Sequence, residues 1–108
     1  MVIIETSIFT KRIKETMSDD SYREFQNTLI AYPETGKIMK GSGGIRKVRW
    51  SINDQGKRGG VRVIYYWAVN NNQIFMLMVY PKKERDNLTK QQLSLLKKIV
   101  EREFKNEQ

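Results

Sequence analysis

Periodicity in the hydrophobic and polar positions divides this chain into strands and helices. Val2, Ile3 and Ile4 make a short β-rich run that predicts a first strand. Thr6 or Ser7 can cap a helix over residues 8–16, with Ile8, Phe9 and Ile13 as its apolar side. Ser18 caps a second helix. Asp19 and Asp20 sit in its first turn, where the helix dipole favours negative charge, and Met17 with Tyr22 matches a hydrophobic staple. Tyr22, Phe25, Leu29 and Tyr32 recur at helical spacing, and Pro33 and Gly36 end the pattern. After the flexible Gly41, Ser42, Gly43, Gly44 connection, residues 45–52 alternate as a strand. Lys47 and Arg49 fall on one face, Val48 and Trp50 on the other. Residues 53–60 read as a polar, Gly-rich loop. Residues 61–69 give the strongest strand signal, three asparagines at 70–72 make a turn, and residues 74–80 form a last strand stopped by Pro81. A helix over residues 89–104 opens on a Thr89–Gln92 capping box with a Leu88–Leu93 staple. Leu93, Leu96, Val100 and Phe104, with Ile99, form its apolar side.

The predicted order is β-α-α-β-β-β-α. This is an α+β domain, with helices packed on a small antiparallel sheet whose last three strands form a meander. At 108 residues the chain fits one domain, residues 1–108, and no internal repeat divides it. The longest apolar run, residues 63–69, is far short of the roughly 20 residues of a spanning helix. The N-terminus lacks the basic-then-apolar pattern of a signal peptide. Cysteine is absent, which excludes disulfides and thiolate metal sites and suits a reducing cytoplasm. Histidine is absent too. That excludes histidine-based zinc sites and serine–histidine triads, and leaves any acid–base chemistry to Lys, Arg, Tyr, Asp or Glu. No cofactor and no metal is implied.

Charge changes this picture most. The chain carries a net charge of +8, and residues 37–62 hold eight Lys or Arg against the single acid Asp54. A focused basic surface attracts polyanions, of which nucleic acid is the commonest in cells. Arg46, Lys47 and Arg49 lie on one strand and Arg62 on the next. Lys57 and Arg58 lie on the loop between them, and Lys82 and Lys83 directly follow the last strand. A meander brings all of these close together. Any one of these lysines is adequately explained as a solvated charge. The set is not, because like charges on neighbouring strands cost stability and call for an anion that offsets them. Tyr65, Tyr66, Trp67 and Tyr80 interleave with the cations. Most of them suit sheet packing, but a Tyr near the edge can stack on a base. Alternation puts Tyr66 on the face of Arg62, with Tyr65 and Trp67 opposite. The two glycine clusters lack a phosphate-binding fingerprint and read as flexible loops. The Lys and Arg of the last helix are mixed with Glu and read as a solvated face. From residues alone, the reading stops at an RNA-binding surface. It leaves open a nuclease or a non-catalytic RNA- or DNA-binding module.

The segments GSGGIRKVRW, GKRGGVRVIYYW and MVYPKKERDNLTKQQ resemble the RelE-like toxins, most of all the HigB branch of bacterial toxin–antitoxin modules. The resemblance spans most of the chain and agrees with the predicted element order. It implies a cytoplasmic, ribosome-dependent mRNA endoribonuclease that cuts in the ribosomal A site. The attacking group would be the RNA 2′-hydroxyl, leaving a 2′,3′-cyclic phosphate and a 5′-hydroxyl. The implied partners are the ribosome, mRNA and a cognate antitoxin, with no membrane. By strand alignment, Lys47 and Arg49 match basic family positions that bind RNA or assist the attacking hydroxyl. Arg62 matches the arginine that stabilises the transition-state phosphate. Lys83 falls where some members place an Arg, so the charge is kept and the bidentate fork is lost. A family Tyr near the C-terminus has no clear equivalent, so either Tyr80 takes its role or nothing does. Arg46, Lys57, Arg58, Tyr66, Tyr80 and Lys82 complete the expected RNA-binding set.

Overall fold

A computed structural model describes residues 1–51, 60–85 and 87–104. The elements run β1 (Val2–Glu5), α1 (Ser7–Thr16), α2 (Asp19–Ala31), β2 (Lys37–Ile38), β3 (Ile45–Trp50), β4 (Val61–Ala68), a single 3-10 turn (Val69–Asn71), β5 (Gln73–Pro81) and α3 (Lys90–Phe104). The strands form one sheet in the order β1-β5-β4-β3-β2. β3, β4 and β5 are the expected antiparallel meander. β1 joins it in parallel against β5, so the sheet is mixed, not wholly antiparallel. The two-residue β2, absent from the predicted order, pairs with β3 at the opposite edge.

The caps act as their residue types require. Thr6 Oγ1 accepts from Phe9 N–H at 3.1 Å, and Ser18 Oγ accepts from Ser21 N–H at 3.1 Å. The capping box is reciprocal: Gln92 N–H donates to Thr89 Oγ1 at 3.0 Å, and Thr89 N–H to Gln92 Oε1 at 2.9 Å. These bonds satisfy donors that the first turn of a helix leaves without partners.

Each face of the sheet carries its own core. On one, Phe9, Ile13, Phe25 and Leu29 of α1 and α2 pack on Val61, Val63, Tyr65, Ile74, Met76 and Val79, with Met17 closing the corner. On the other, Leu96, Val100 and Phe104 of α3 cover Ile45, Ile64, Phe75 and Leu77. Two expected core residues lie outside. Ile8 is 52% and Tyr32 63% exposed: Ile8 lies about 100° round α1 from the buried Phe9, and Tyr32 is the non-helical C-cap beyond the last residue of α2. The β4–β5 register shifts between Ile64 and Tyr65, whose partners are Met78 and Met76. The extra residue, Leu77, puts two successive side chains, Leu77 and Met78, on the α3 face of the sheet. Gly60 leads into β4 with φ +58°, and a Cβ there would lie 2.2 Å from Trp50 O. Only glycine fits that approach.

Candidate functional site

Directly paired residues on neighbouring strands share a face, so the register fixes which side chains meet. On the α3 side of the sheet, Lys37 pairs with Lys47, and Arg49 with Arg62. α3 covers only part of this face. Beyond it, Thr35, Lys37, Lys47, Val48, Arg49, Arg62, Lys82 and Asn87 line an open cleft of about 590 Å³. Five of these described residues are cationic and none is acidic. The two like-charged cross-strand pairs lie in successive rows, about 7 Å apart at two strand residues.

Within the cleft the cations differ in freedom. Lys47 is half-buried, and its Nζ donates to Asn87 Oδ1 at 2.8 Å, which ties β3 to the segment entering α3. Arg49 is exposed. Arg62 is only 4% exposed. Its side chain is therefore packed into the wall of the cleft. Lys82 reaches the cleft because its N–H donates to Gly60 O at 3.2 Å, holding the start of the turn after β5 against β4.

The remaining expected site residues are placed elsewhere. Lys83, one residue further along the turn, is exposed and not among the lining residues. Arg46 points to the opposite face, where its Nη1 donates to Gly36 O at 2.7 Å and Glu34 O at 3.2 Å. Tyr66 does share the face of Arg62, but it lies four residues along β4 and packs on Phe104 with ring centroids 5.4 Å apart. Tyr80 sits directly opposite Arg62 but is 1% exposed, with the Arg85 guanidinium 6.0 Å from its ring centroid, so no base can stack on it. Lys57 and Arg58 lie outside the described residues. Sequence reasoning missed Thr35, Lys37 and Asn87 as lining residues. Lys37 was counted in the basic segment, yet a two-residue strand has no periodicity to reveal its facing. Asn87 carried no signal.

Outside the cleft, two tyrosines are perturbed. Burial, then the hydrogen bond its Oη donates to Glu5 Oε2, pushes Tyr22 up well beyond the usual phenol range. Burial also raises Tyr65, which donates to Pro33 O at 2.6 Å and accepts from Gly36 N–H at 2.8 Å. Both are structural phenols on the α1–α2 side of the sheet.

A mixed sheet with two helices on one face, one on the other, and beside the single helix a cationic cleft with no acid among its described lining residues defines a small α+β protein. The family model described as the RelE toxin of the RelE/RelB toxin–antitoxin system matches residues 1–108, and the chain belongs to that family. Its fold is similar to that of the toxin in the crystal structure of the intact E. coli RelBE toxin–antitoxin complex. The TM-score is 0.58 at 14% identity, covering 74% of this chain and 94% of that one. It is also similar to an arginine-to-alanine double mutant of E. coli toxin RelE in the free state, with a TM-score of 0.56 at 12% identity, covering 79% of this chain and 86% of that one.

Proposed function

We propose that this RelE-family toxin is a ribosome-dependent mRNA endoribonuclease of the HigB branch, acting in the cytoplasm and held inactive by a cognate antitoxin. The observation that carries the reading is the cleft itself. Lys47, Arg49 and Arg62 converge on one open sheet face with Lys37 and Lys82, and no described carboxylate lines it. Such a site suits the phosphodiester backbone of a single strand.

The chemistry follows from the substrate. The RNA 2′-hydroxyl attacks its neighbouring phosphorus and loses its proton. A P–O2′ bond forms, the P–O5′ bond breaks, and the leaving 5′-oxygen takes up a proton. The products are a 2′,3′-cyclic phosphate and a 5′-hydroxyl. Negative charge grows on the phosphoryl oxygens in the transition state. Arg62, fixed by packing, and Arg49 opposite it supply preorganised positive charge there without a metal ion. Lys47, held by Asn87, faces the same space and suits the attacking hydroxyl. With no histidine in the chain, proton transfer falls to lysine and to groups the ribosome brings. Lys83 lies beyond the cleft and acts at most on flanking phosphate.

Expression in growing bacteria tests this directly. The wild type arrests growth and cuts mRNA. Lys47→Gln and Arg49→Gln, folded by circular dichroism, relieve both, and co-expression of the cognate antitoxin restores growth to the wild type. Folded variants that still cut would overturn the residue roles. Arrest without any mRNA cleavage would favour a non-catalytic RNA- or DNA-binding module using the same cleft.

A further inference from the structure

The edge strand β2 is two residues long, and one of them, Lys37, faces Lys47 across the ladder. That pairing is unfavourable, since like charges directly opposite destabilise a sheet. A short edge strand that gains little and repels its neighbour should fray. Instead the segment leading into it is anchored from the opposite face of the sheet. Tyr65, fully buried, donates its hydroxyl hydrogen to Pro33 O at 2.6 Å and accepts the Gly36 N–H at 2.8 Å. Arg46, next to Lys47 but pointing the other way, donates from Nη1 to Gly36 O at 2.7 Å and Glu34 O at 3.2 Å. Gly36 is enclosed. A Cβ there would meet Tyr65 Cε1 at 2.9 Å and Lys47 O at 3.1 Å. Thr35 closes the turn by donating its hydroxyl hydrogen to Tyr32 O at 2.6 Å. Four hydrogen bonds from Tyr65 and Arg46 thus fix a surface turn whose visible product is Lys37 on the cleft wall.

From this we infer that Lys37 binds substrate, as half of a second phosphate subsite shared with Lys47, and that Tyr65 and Arg46 position it through residues 33–36. The inference rests on the RNA reading of the cleft. The Lys37–Lys47 row lies about 7 Å along the strands from the Arg49–Arg62 row. That offset is comparable to the separation of neighbouring phosphates on one strand. The Arg49–Arg62 row then holds the scissile phosphate and the Lys37–Lys47 row the adjacent one, with Lys47 between that phosphate and the attacking 2′-hydroxyl. The repulsion within each row is relieved when its phosphate arrives. Arg46 becomes a positioning residue rather than an RNA contact, because its guanidinium is committed to backbone carbonyls away from the cleft.

The test is binding of the full chain to a short 2′-O-methyl oligouridylate, which lacks the attacking hydroxyl, across a range of salt concentrations. Each phosphate contact contributes about 0.7 to the slope of log affinity against log salt for a single strand. Lys37→Gln should weaken binding several-fold at low salt and flatten the slope by about 0.7, while its melting temperature holds or rises as the Lys47 repulsion is lost. Lys98→Gln, on the outer face of α3, should change neither affinity nor slope. Tyr65→Phe should reproduce the flattened slope in folded protein, and Tyr65→Phe with Lys37→Gln should be no worse than either alone. Should Tyr65→Phe fail to fold, Arg46→Gln probes the same clamp. Wild-type affinity and slope for Lys37→Gln, with Arg49→Gln impaired, would overturn the subsite alone. Wild-type binding by both would overturn the RNA reading with it. A flattened slope for Lys37→Gln but an unchanged one for both clamp variants would overturn the positioning role.

Discussion

Arg49→Gln should make the folded protein more stable while it disables the site. The structure supplies the reason. Arg49 pairs directly with Arg62 across β3 and β4, and Lys47 stands two residues away on the same face. The replacement keeps a polar side chain, shorter and ending in a neutral amide, and deletes the charge. A directly opposite like-charged pair costs about 0.2–1 kcal/mol, and exposure of Arg49 keeps the figure toward the middle or low end. A gain of about 0.5 kcal/mol would raise the melting temperature by roughly 2–4 °C in a domain near this size. The gain is electrostatic, so it should be largest at about 0.05 M salt. It should fade at about 1 M, where the Debye length falls to roughly 3 Å. Thermal unfolding followed by circular dichroism at both salt concentrations reads the difference. A fall in melting temperature at low salt would refute the reasoning by making Arg49 a structural residue. An equal rise at both concentrations would refute it differently, by assigning the gain to something other than charge.

Other consequences follow from groups away from the cleft. The folded state holds the Tyr22 pKa above its unfolded value of about 10, so the stability it lends is complete below about pH 10 and is lost as pH climbs from there. Tyr22→Phe should flatten the alkaline decline and cost about 1 kcal/mol at neutral pH through the lost bond to Glu5, both measurable by denaturant unfolding at several pH values. A decline as steep as that of the wild type would place the alkaline sensitivity elsewhere. Thr89→Ala removes the hydroxyl half of the α3 capping box and should lower stability by about 1 kcal/mol, with a shifted urea midpoint and an unchanged slope.

Local signals in the chain were legible, and partner choice was not. The Thr89–Gln92 box, the Ser18 cap and the helical spacing of Phe25 with Leu29 all depend on neighbours a few residues apart, and each appears in the structure as expected. The facing of Lys47, Arg49, Arg62 and Tyr66 followed from alternation, because the register shift adds its extra residue, Leu77, to β5 and leaves the β3–β4 pairing unbroken. By contrast, the parallel pairing of β1 with β5 joins segments some seventy residues apart and leaves no mark in either one. β2 is too short to show a period. Burial of Tyr80 and Arg62 depends on how far their surroundings extend over the sheet, which periodicity does not report. The basic cluster was visible as charge. Its composition was not: Arg46 left it for the far face, and Lys37 and Asn87 entered it through pairings made only in three dimensions.

The most direct measurement of the central claim is cleavage of one end-labelled mRNA, free in solution and bound to ribosomes with the A site empty, by the purified toxin. Product ends are assigned by their chemistry. The account predicts fast cutting only on the ribosome, where the 2′-hydroxyl is held in line for attack. It also predicts 2′,3′-cyclic phosphate and 5′-hydroxyl ends, and loss of cutting in Arg49→Gln. Equal rates on free and ribosome-bound mRNA, or 5′-phosphate ends, would contradict it.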